Sequence, residues 1–313
     1  MTEKIAFIFP GQGSQSVGMG KDICAHHEAA RFIFAEADEA LEKSLSTLCF
    51  EGPDSDLSLT VNTQPAIVAT SLALFKCFIE KGPKPSFVAG HSVGEYAALA
   101  AAGALSMQDV IGLVAKRGQL MDDACPAGTG GMAALIGMDR EKTQKMLEEI
   151  ELPSESVLDL AGLNCPGQVV VAGHLRAIDF IINKVRDFGG RMGVKLNVSG
   201  PFHSRLMKPA EDGLSGRLTE ADFAEADIPV LPNTLAKPTS DPRELKKALM
   251  SQLTLPVLWE DSVRYMLSEN VNTFVEFGAG NVLSGMIRKI DRKARVIPVY
   301  DSDTLKSALE ELI

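Results

Sequence analysis

The sequence predicts an α/β protein in which parallel strands covered by helices occupy both ends of the chain and a smaller unit of order β-α-β-β-α-β lies between them. Three observations predict it. Strand-length apolar runs alternate with helical patterns in the first and last thirds, as they do where helices cross over parallel strands. In the middle third two strand patterns follow each other directly, with a helix and a further strand on either side, which is the ferredoxin-like order. The glycine-rich stretch Ala127 to Gly131 and the turn Ser199-Gly200-Pro201 punctuate that middle unit at its two ends.

Taken in order, the first strand is Ile5 to Phe9, followed by a helix from about Gln64 to Ile79, a short strand Phe87 to Ala89, and helices after Val93 and after Ser106. The middle unit reads as strand Met132 to Ile136, helix Arg140 to Ile150, strands Val157 to Leu163 and Gln168 to Ala172, helix Leu175 to Phe188 and strand Met192 to Val198. The first style then returns: a helix opened by Asp241-Pro242, a strand Thr273 to Phe277, a helix after Gly280 and a strand Val296 to Val299. Both ends are expected to share one sheet. The expected division is therefore a core of residues 1–128 and 200–313, with an inserted subdomain at 129–199. There is no internal repeat and no low-complexity tract.

At 313 residues, 45% of them hydrophobic, the chain can bury a substantial core. A formal net charge of -10 argues against nucleic-acid binding, which rests on neutralising phosphates with a basic face. Cys24, Cys49, Cys77, Cys125 and Cys165 are odd in number and include no C-x-x-C pair, so they suggest reduced, buried thiols rather than a disulfide framework or a zinc site. The opening apolar run stops at Pro10, too short for a signal core or a membrane span. A cytoplasmic protein is expected, with no membrane partner.

Gly90-His91-Ser92-Val93-Gly94 joins the short strand to a helix of small residues. That is the setting of a G-x-S-x-G elbow: glycines remove side chains where strand and helix crowd together, and serine holds a strained turn with its hydroxyl exposed. The helix start aims backbone N–H groups at a reacting carbonyl, which makes the Val93 N–H an oxyanion donor. Serine needs a general base. His91 is a poor base for its neighbour, because adjacent side chains on an extended strand point to opposite faces. His26 and His27 read as surface, and His174 begins a helix. His203, in the loop where the middle unit returns to the sheet, is only modestly ahead of His174.

The helix after Ser106 places Val110, Val114 and Met121 on one face, and Arg117 falls within that apolar stripe. A buried guanidinium needs an acidic partner. Either an internal carboxylate pairs with it, or it clamps an acidic substrate in bidentate fashion. Gly11-Gln12-Gly13-Ser14 follows the first strand but fails the dinucleotide pattern, since Ser16 stands where the third glycine would fall. At a strand's C-terminal end this backbone can instead offer a second oxyanion N–H from Gln12.

Gly11-Gln12-Gly13-Ser14-Gln15, Gly90 to Glu95, Arg117, Pro201-Phe202-His203-Ser204, and Gln252 before Pro256-Val257-Leu258-Trp259 together resemble, in order and spacing, the malonyl-CoA:acyl carrier protein transacylases of fatty acid synthesis. The resemblance covers essentially the whole chain. It implies a hydrolase-like core with a ferredoxin-like insert, Ser92 as the acylated nucleophile, His203 as general base and acid, and Gln12 and Val93 N–H groups as the oxyanion hole. It further implies a backbone carbonyl near Gln252 orienting the imidazole, Arg117 holding the malonyl carboxylate, and Phe202 favouring malonyl over bulkier acyl groups. The implied reaction is ping-pong transfer of malonyl from malonyl-CoA to the phosphopantetheine thiol of acyl carrier protein, without metal or redox cofactor. Two other readings stand: a serine hydrolase, which shares the elbow but admits water at deacylation, and a non-catalytic carrier-binding module with a degenerate site, against which the intact Ser92, His203 and Arg117 set speaks. The basic residues Arg288 and Lys289, with Arg191 as a weaker candidate, form either a docking patch for the acidic carrier or a merely solvated face. A monomer is expected, although the sequence itself does not give the oligomeric state.

Overall fold

The computed structural model describes residues 4–126 and 128–313. Five strands, β1 (Lys4–Phe9), β2 (Phe87–Gly90), β7 (Val230–Leu231), β8 (Val271–Phe277) and β9 (Arg295–Val299), form one sheet in the order β7-β2-β1-β8-β9. Every neighbouring pair is parallel. A parallel sheet is buried on both faces, and β1 shows it. Phe7 and Phe9 point to one side, where they meet Phe75, Phe78 and Phe277 with ring centroids 5.0 to 6.1 Å apart. Ala6 and Ile8 point to the other, into a cluster with Trp259, Val271 and Phe274. The continuous apolar run of β1 is the consequence of this two-sided burial, and the expectation that both chain ends share one sheet holds.

The second sheet contains β3 (Gly130–Ile136), β4 (Leu158–Cys165), β5 (Gln168–His174) and β6 (Met192–Lys195) in the order β4-β5-β3-β6, all antiparallel. Helices Arg140–Glu149 and Leu175–Lys184 complete the β-α-β-β-α-β order. The mixed α/β class read from the sequence is what the chain adopts. The segment around Val257 ties the sheets together, pairing with β4 through the bonds Leu163 N–H to Val257 O and Val257 N–H to Ala161 O. Of the glycine-rich stretch Ala127 to Gly131, Ala127 lies outside the described residues.

Several boundaries differ for physical reasons. The helix expected from about Gln64 spans Thr60–Ile79 and carries Pro65 inside it. Its first turn buries Thr60, Thr63 and Gln64, polar residues that give no apolar signal for a helix start. Gly118 allows the close approach there, since a Cβ would lie 2.8 Å from Thr60 O. Strand β6 ends at Lys195 rather than Val198, and the helix after His174 tightens into a 3-10 turn over Val185–Phe188. Among the elements not read from the sequence are the two-residue β7 and the helices Lys208–Glu220, Trp259–Ser268 and Ser302–Leu312. No helix among the described residues is long and apolar enough to cross a membrane.

Candidate active site

The ends of β1 and β2 carry the site, as expected where ligands gather at the C-terminal ends of parallel strands. After Gly90 the chain turns sharply into helix Gly94–Ala101, and Ser92 at the apex has φ of 51°. A non-glycine residue in this left-handed region is held there by its surroundings. The two glycines are sterically required: a Cβ on Gly90 would sit 2.0 Å from Gly94 C and O, and one on Gly94 would sit 2.2 Å from Phe9 O. The crowding of strand and helix anticipated from the motif is therefore the local reason for the turn.

His203 reaches the elbow from the loop that leaves the second sheet, and it too has a positive φ, 59°. Its Nε2 lies 2.7 Å from Ser92 Oγ, and its Nδ1 lies 2.8 Å from the backbone O of Gln252. A carbonyl oxygen can only accept, so Nδ1 carries the proton and Nε2 presents a lone pair to the serine hydroxyl. Burial first, then the neighbouring Arg117, lowers the pKa of His203 to about 3, so the ring is neutral at physiological pH. This arrangement joins a hydroxyl, a base and an orienting acceptor with no carboxylate in the chain of contacts. The competing His174 accepts the Val157 N–H through Nδ1 at 3.0 Å and ties β4 to β5. His91 lines the same cavity as Ser92, because the chain has left the extended conformation at Ser92 and strand alternation no longer separates the two side chains. Its Nε2 pairs with Asn164 Oδ1 at 2.9 Å rather than with the serine.

Arg117, in helix Met107–Ala124, is completely buried. Its guanidinium donates to Gln64 Oε1 at 2.8 Å, to Gln252 Oε1 at 3.0 Å and to Ser92 Oγ at 3.2 Å, and lies over the Tyr96 ring at 5.7 Å. All three acceptors are neutral. Among the described residues its hydrogen-bonding partners include no carboxylate, and its Nε has no hydrogen-bond partner. Of the two readings open at the sequence level, the internal salt bridge is absent.

Gln252 lies at the C-terminal end of helix Pro242–Ser251. Its Oε1 accepts from Arg117, while its Nε2 donates to Ser92 O at 3.0 Å and to Glu95 Oε2 at 2.8 Å. The amide thus stands between the guanidinium and a second buried charge-bearing group. Burial raises the Glu95 pKa to about 7, against the opposing effects of the Asn233 N–H, Gln252 and Arg117. Sequence reasoning assigned no role to Glu95, Asn233 or Gln64, although Glu95 closes the quoted elbow motif.

A cavity of about 230 Å³ opens over Ser92, lined among others by Gln12, Phe202 and His203 and by Met132 and Val170 of the second sheet. Among the described residues the backbone N–H groups of Gln12 and Val93 have no hydrogen-bond partner, whereas Gly13 N–H donates to Gln15 and Ser14 N–H to Gly11 O. Gly11 is needed for this approach, since a Cβ there would lie 2.5 Å from His91 O. Of the basic surface residues, Lys289 donates to Gln168 Oε1 at 3.3 Å, and Gln168 lines the cavity. Arg288 is exposed on the same helix, Val282–Ile290. Arg191 is exposed beside β6, its backbone N–H donating to Ile136 O.

Residues 6–309 match the family described as acyl transferase domain. Over 309 residues the chain is 45% identical to the malonyl CoA-acyl carrier protein transacylase of Bacillus subtilis, covering 99% of this chain and 97% of that one. The chain belongs to the malonyl CoA-acyl carrier protein transacylase family. Solved members superpose closely. The transacylase of Coxiella burnetii gives a TM-score of 0.95 at 35% identity, covering 99% of this chain and 98% of that one. A malonyl-transacylase solved in complex with a type II polyketide acyl-carrier protein gives 0.95 at 36% identity, covering 99% and 100%. Membership makes the chain an acyltransferase, and the family resemblance read from the motifs is correct.

Proposed function

We propose that the protein transfers a malonyl group from malonyl-CoA to the phosphopantetheine thiol of acyl carrier protein through a malonyl ester on Ser92. The observation that carries this reading is Arg117: a fully buried cation, 3.2 Å from the nucleophile, with neutral partners only. A buried guanidinium without a carboxylate is costly, and its planar fork matches one presented by a substrate. Malonyl bears a carboxylate at the right end to meet Arg117 while its thioester carbonyl lies at Ser92.

In the first half-reaction His203 Nε2 takes the Ser92 proton as Oγ attacks the thioester carbonyl. The unpartnered N–H groups of Gln12 and Val93 are suited to the developing oxyanion. Collapse breaks the carbon–sulfur bond and His203 returns the proton to the CoA thiolate. In the second half-reaction the carrier thiol gives its proton to His203 and attacks the malonyl ester, and Ser92 recovers the proton on leaving. One thioester is consumed and one is formed, so serine needs no other reagent. Phe202 lines the cavity and limits the space beside the acyl group.

Supporting the wider reading, the carrier would approach along Arg288 and Lys289 at the cavity's rim, with Arg191 a weaker contact. Residues 129–199 are proposed as an inserted subdomain that roofs the cavity of a core formed by 1–128 and 200–313. The protein would work as a cytoplasmic monomer with no nucleic-acid or membrane partner. The direct test is intact mass after brief exposure to malonyl-CoA. The wild type should gain one malonyl group and lose it on adding carrier protein, and Ser92→Ala should gain none. A label that maps to another residue overturns the assignment.

A further inference from the structure

We infer that Asn233 is a positioning residue that locks the nucleophile elbow, with Glu95 as the anchor that joins its grip to that of Gln252. The inference rests on Ser92 as the nucleophile. Asn233 follows β7, the short strand paired with β2 through Val88 with Val230 and Ala89 with Leu231. Beyond that pair the backbone ladder ends, because β2 turns into the elbow. The Asn233 side chain continues the ladder in its place. Its Oδ1 accepts the Ser92 N–H at 2.7 Å and its Nδ2 donates to Gly90 O at 2.6 Å. A backbone N–H can only donate and a carbonyl only accept, so the orientation of the amide is fixed. It spans both sides of the strained turn as a peptide unit of a neighbouring strand would.

Asn233 is itself held. It is 2% exposed, its N–H donates to Glu95 Oε2 at 2.9 Å, and its carbonyl accepts from Leu258 N–H at 2.9 Å. The same Glu95 oxygen accepts from Gln252 Nε2, which also holds Ser92 O. Both hydrogen-bonding groups of the Ser92 backbone are thus gripped by side-chain amides, and one carboxylate oxygen sets the distance between those two amides. The Ser92 φ of 51° decides where Oγ points and where the following Val93 N–H points. Releasing Gly90 O and Ser92 N–H would let the turn relax away from His203 without touching Arg117 or the cavity wall.

The test uses Asn233→Ala and Asn233→Asp in the full chain, with the rate and amount of Ser92 malonylation from malonyl-CoA and a thermal melt. Asn233→Ala should lower kcat about tenfold to a hundredfold, the scale of a misplaced reacting group, with KM for malonyl-CoA near wild type. Asn233→Asp keeps the acceptor for Ser92 N–H and loses the donor to Gly90 O, so it should fall between the two. If Asn233→Ala does not fold, Asn233→Asp carries the test. Wild-type kcat in a folded variant overturns the inference, as does a KM rise that accounts for the whole loss. Wild-type protein that never malonylates Ser92 would instead refute the nucleophile assignment, so the two failures are distinguishable.

Discussion

The buried site and the basic rim above it use charge in opposite ways. Arg117 and Glu95 are both removed from water; side-chain amides of Gln64 and Gln252 hold Arg117, and the Asn233 backbone N–H and the Gln252 amide hold Glu95, each in a fixed direction. Arg288 and Lys289 lie exposed on a helix face, where solvent and salt screen them. The buried charges can therefore discriminate between acyl groups differing by one carboxylate. The exposed ones can only bias how an acidic partner arrives. The difference teaches that deletions in the site should change chemistry steeply and independently of salt, and that changes on the rim should be shallow and salt-dependent.

The steepest break should come at His203. His203→Ala removes the proposed base, the group that in this reading takes and returns the serine proton, so acylation and deacylation should slow together, by about 100-fold to 10,000-fold. Stopped-flow measurement of both half-reactions checks this; a defect confined to one half-reaction would mean that another base serves the other. A defect of that size in His174→Ala with near-normal His203→Ala would move the base to His174.

The pH dependence sharpens the same contrast. Burial and Arg117 hold the His203 pKa down at about 3, below its ordinary 6.5. The ring therefore stays neutral as pH falls through 6.5, and kcat/KM for malonyl-CoA should show no acid limb at that pH from this group. The sign for stability follows: an unfolded histidine takes up a proton below 6.5 while the folded one does not, so this contribution is lost as pH falls from 6.5 toward 3. Glu95 works the other way, since its pKa is raised to about 7, and its contribution is lost as pH rises from 4.5 to 7. Measuring kcat/KM against pH in wild type and Glu95→Gln separates them. A limb at 6.5 that persists in Glu95→Gln would contradict a desolvated, neutral His203.

The smallest effect belongs to the rim. Charge reversal at Arg288 and Lys289 should raise KM for carrier protein severalfold at low salt, with the gap closing as ionic strength rises. Self-acylation by malonyl-CoA should be unchanged. Carrier kinetics that stay at wild-type values in low salt would leave these two residues as an ordinary solvated face.

The fold class was legible because the relevant physics is local. Alternating strand and helix patterns announce the parallel sheet, and the close glycines at Gly90 and Gly94 announce the elbow. Arg117 was legible as an anomaly, a cation on an apolar stripe. What covers it was not, since Gln64 and Gln252 are 53 and 135 residues away in sequence. His203 could not be separated from His174 by spacing alone, because its contact with Ser92 spans 111 positions and exists only once the second sheet returns the chain to the first. Asn233 gave no signal at all. It follows a strand of two residues and acts 141 positions from the serine, through a ladder that forms only in the folded sheet.

The central claim is that Arg117 pairs with a substrate carboxylate and with none of the protein's own. The measurement that tests it most directly is the ratio of kcat/KM for malonyl-CoA to that for acetyl-CoA, in wild type and Arg117→Ala, alongside a thermal melt. Breaking a buried charge pair costs about 3–5 kcal/mol, so malonyl transfer should fall by about 100-fold or more. Acetyl transfer, which has no carboxylate to lose its partner, should change little or rise, and Arg117→Lys should restore malonyl transfer only in part because it lacks the planar fork. An unchanged ratio with a lowered melting temperature would contradict the account and make Arg117 a structural cation.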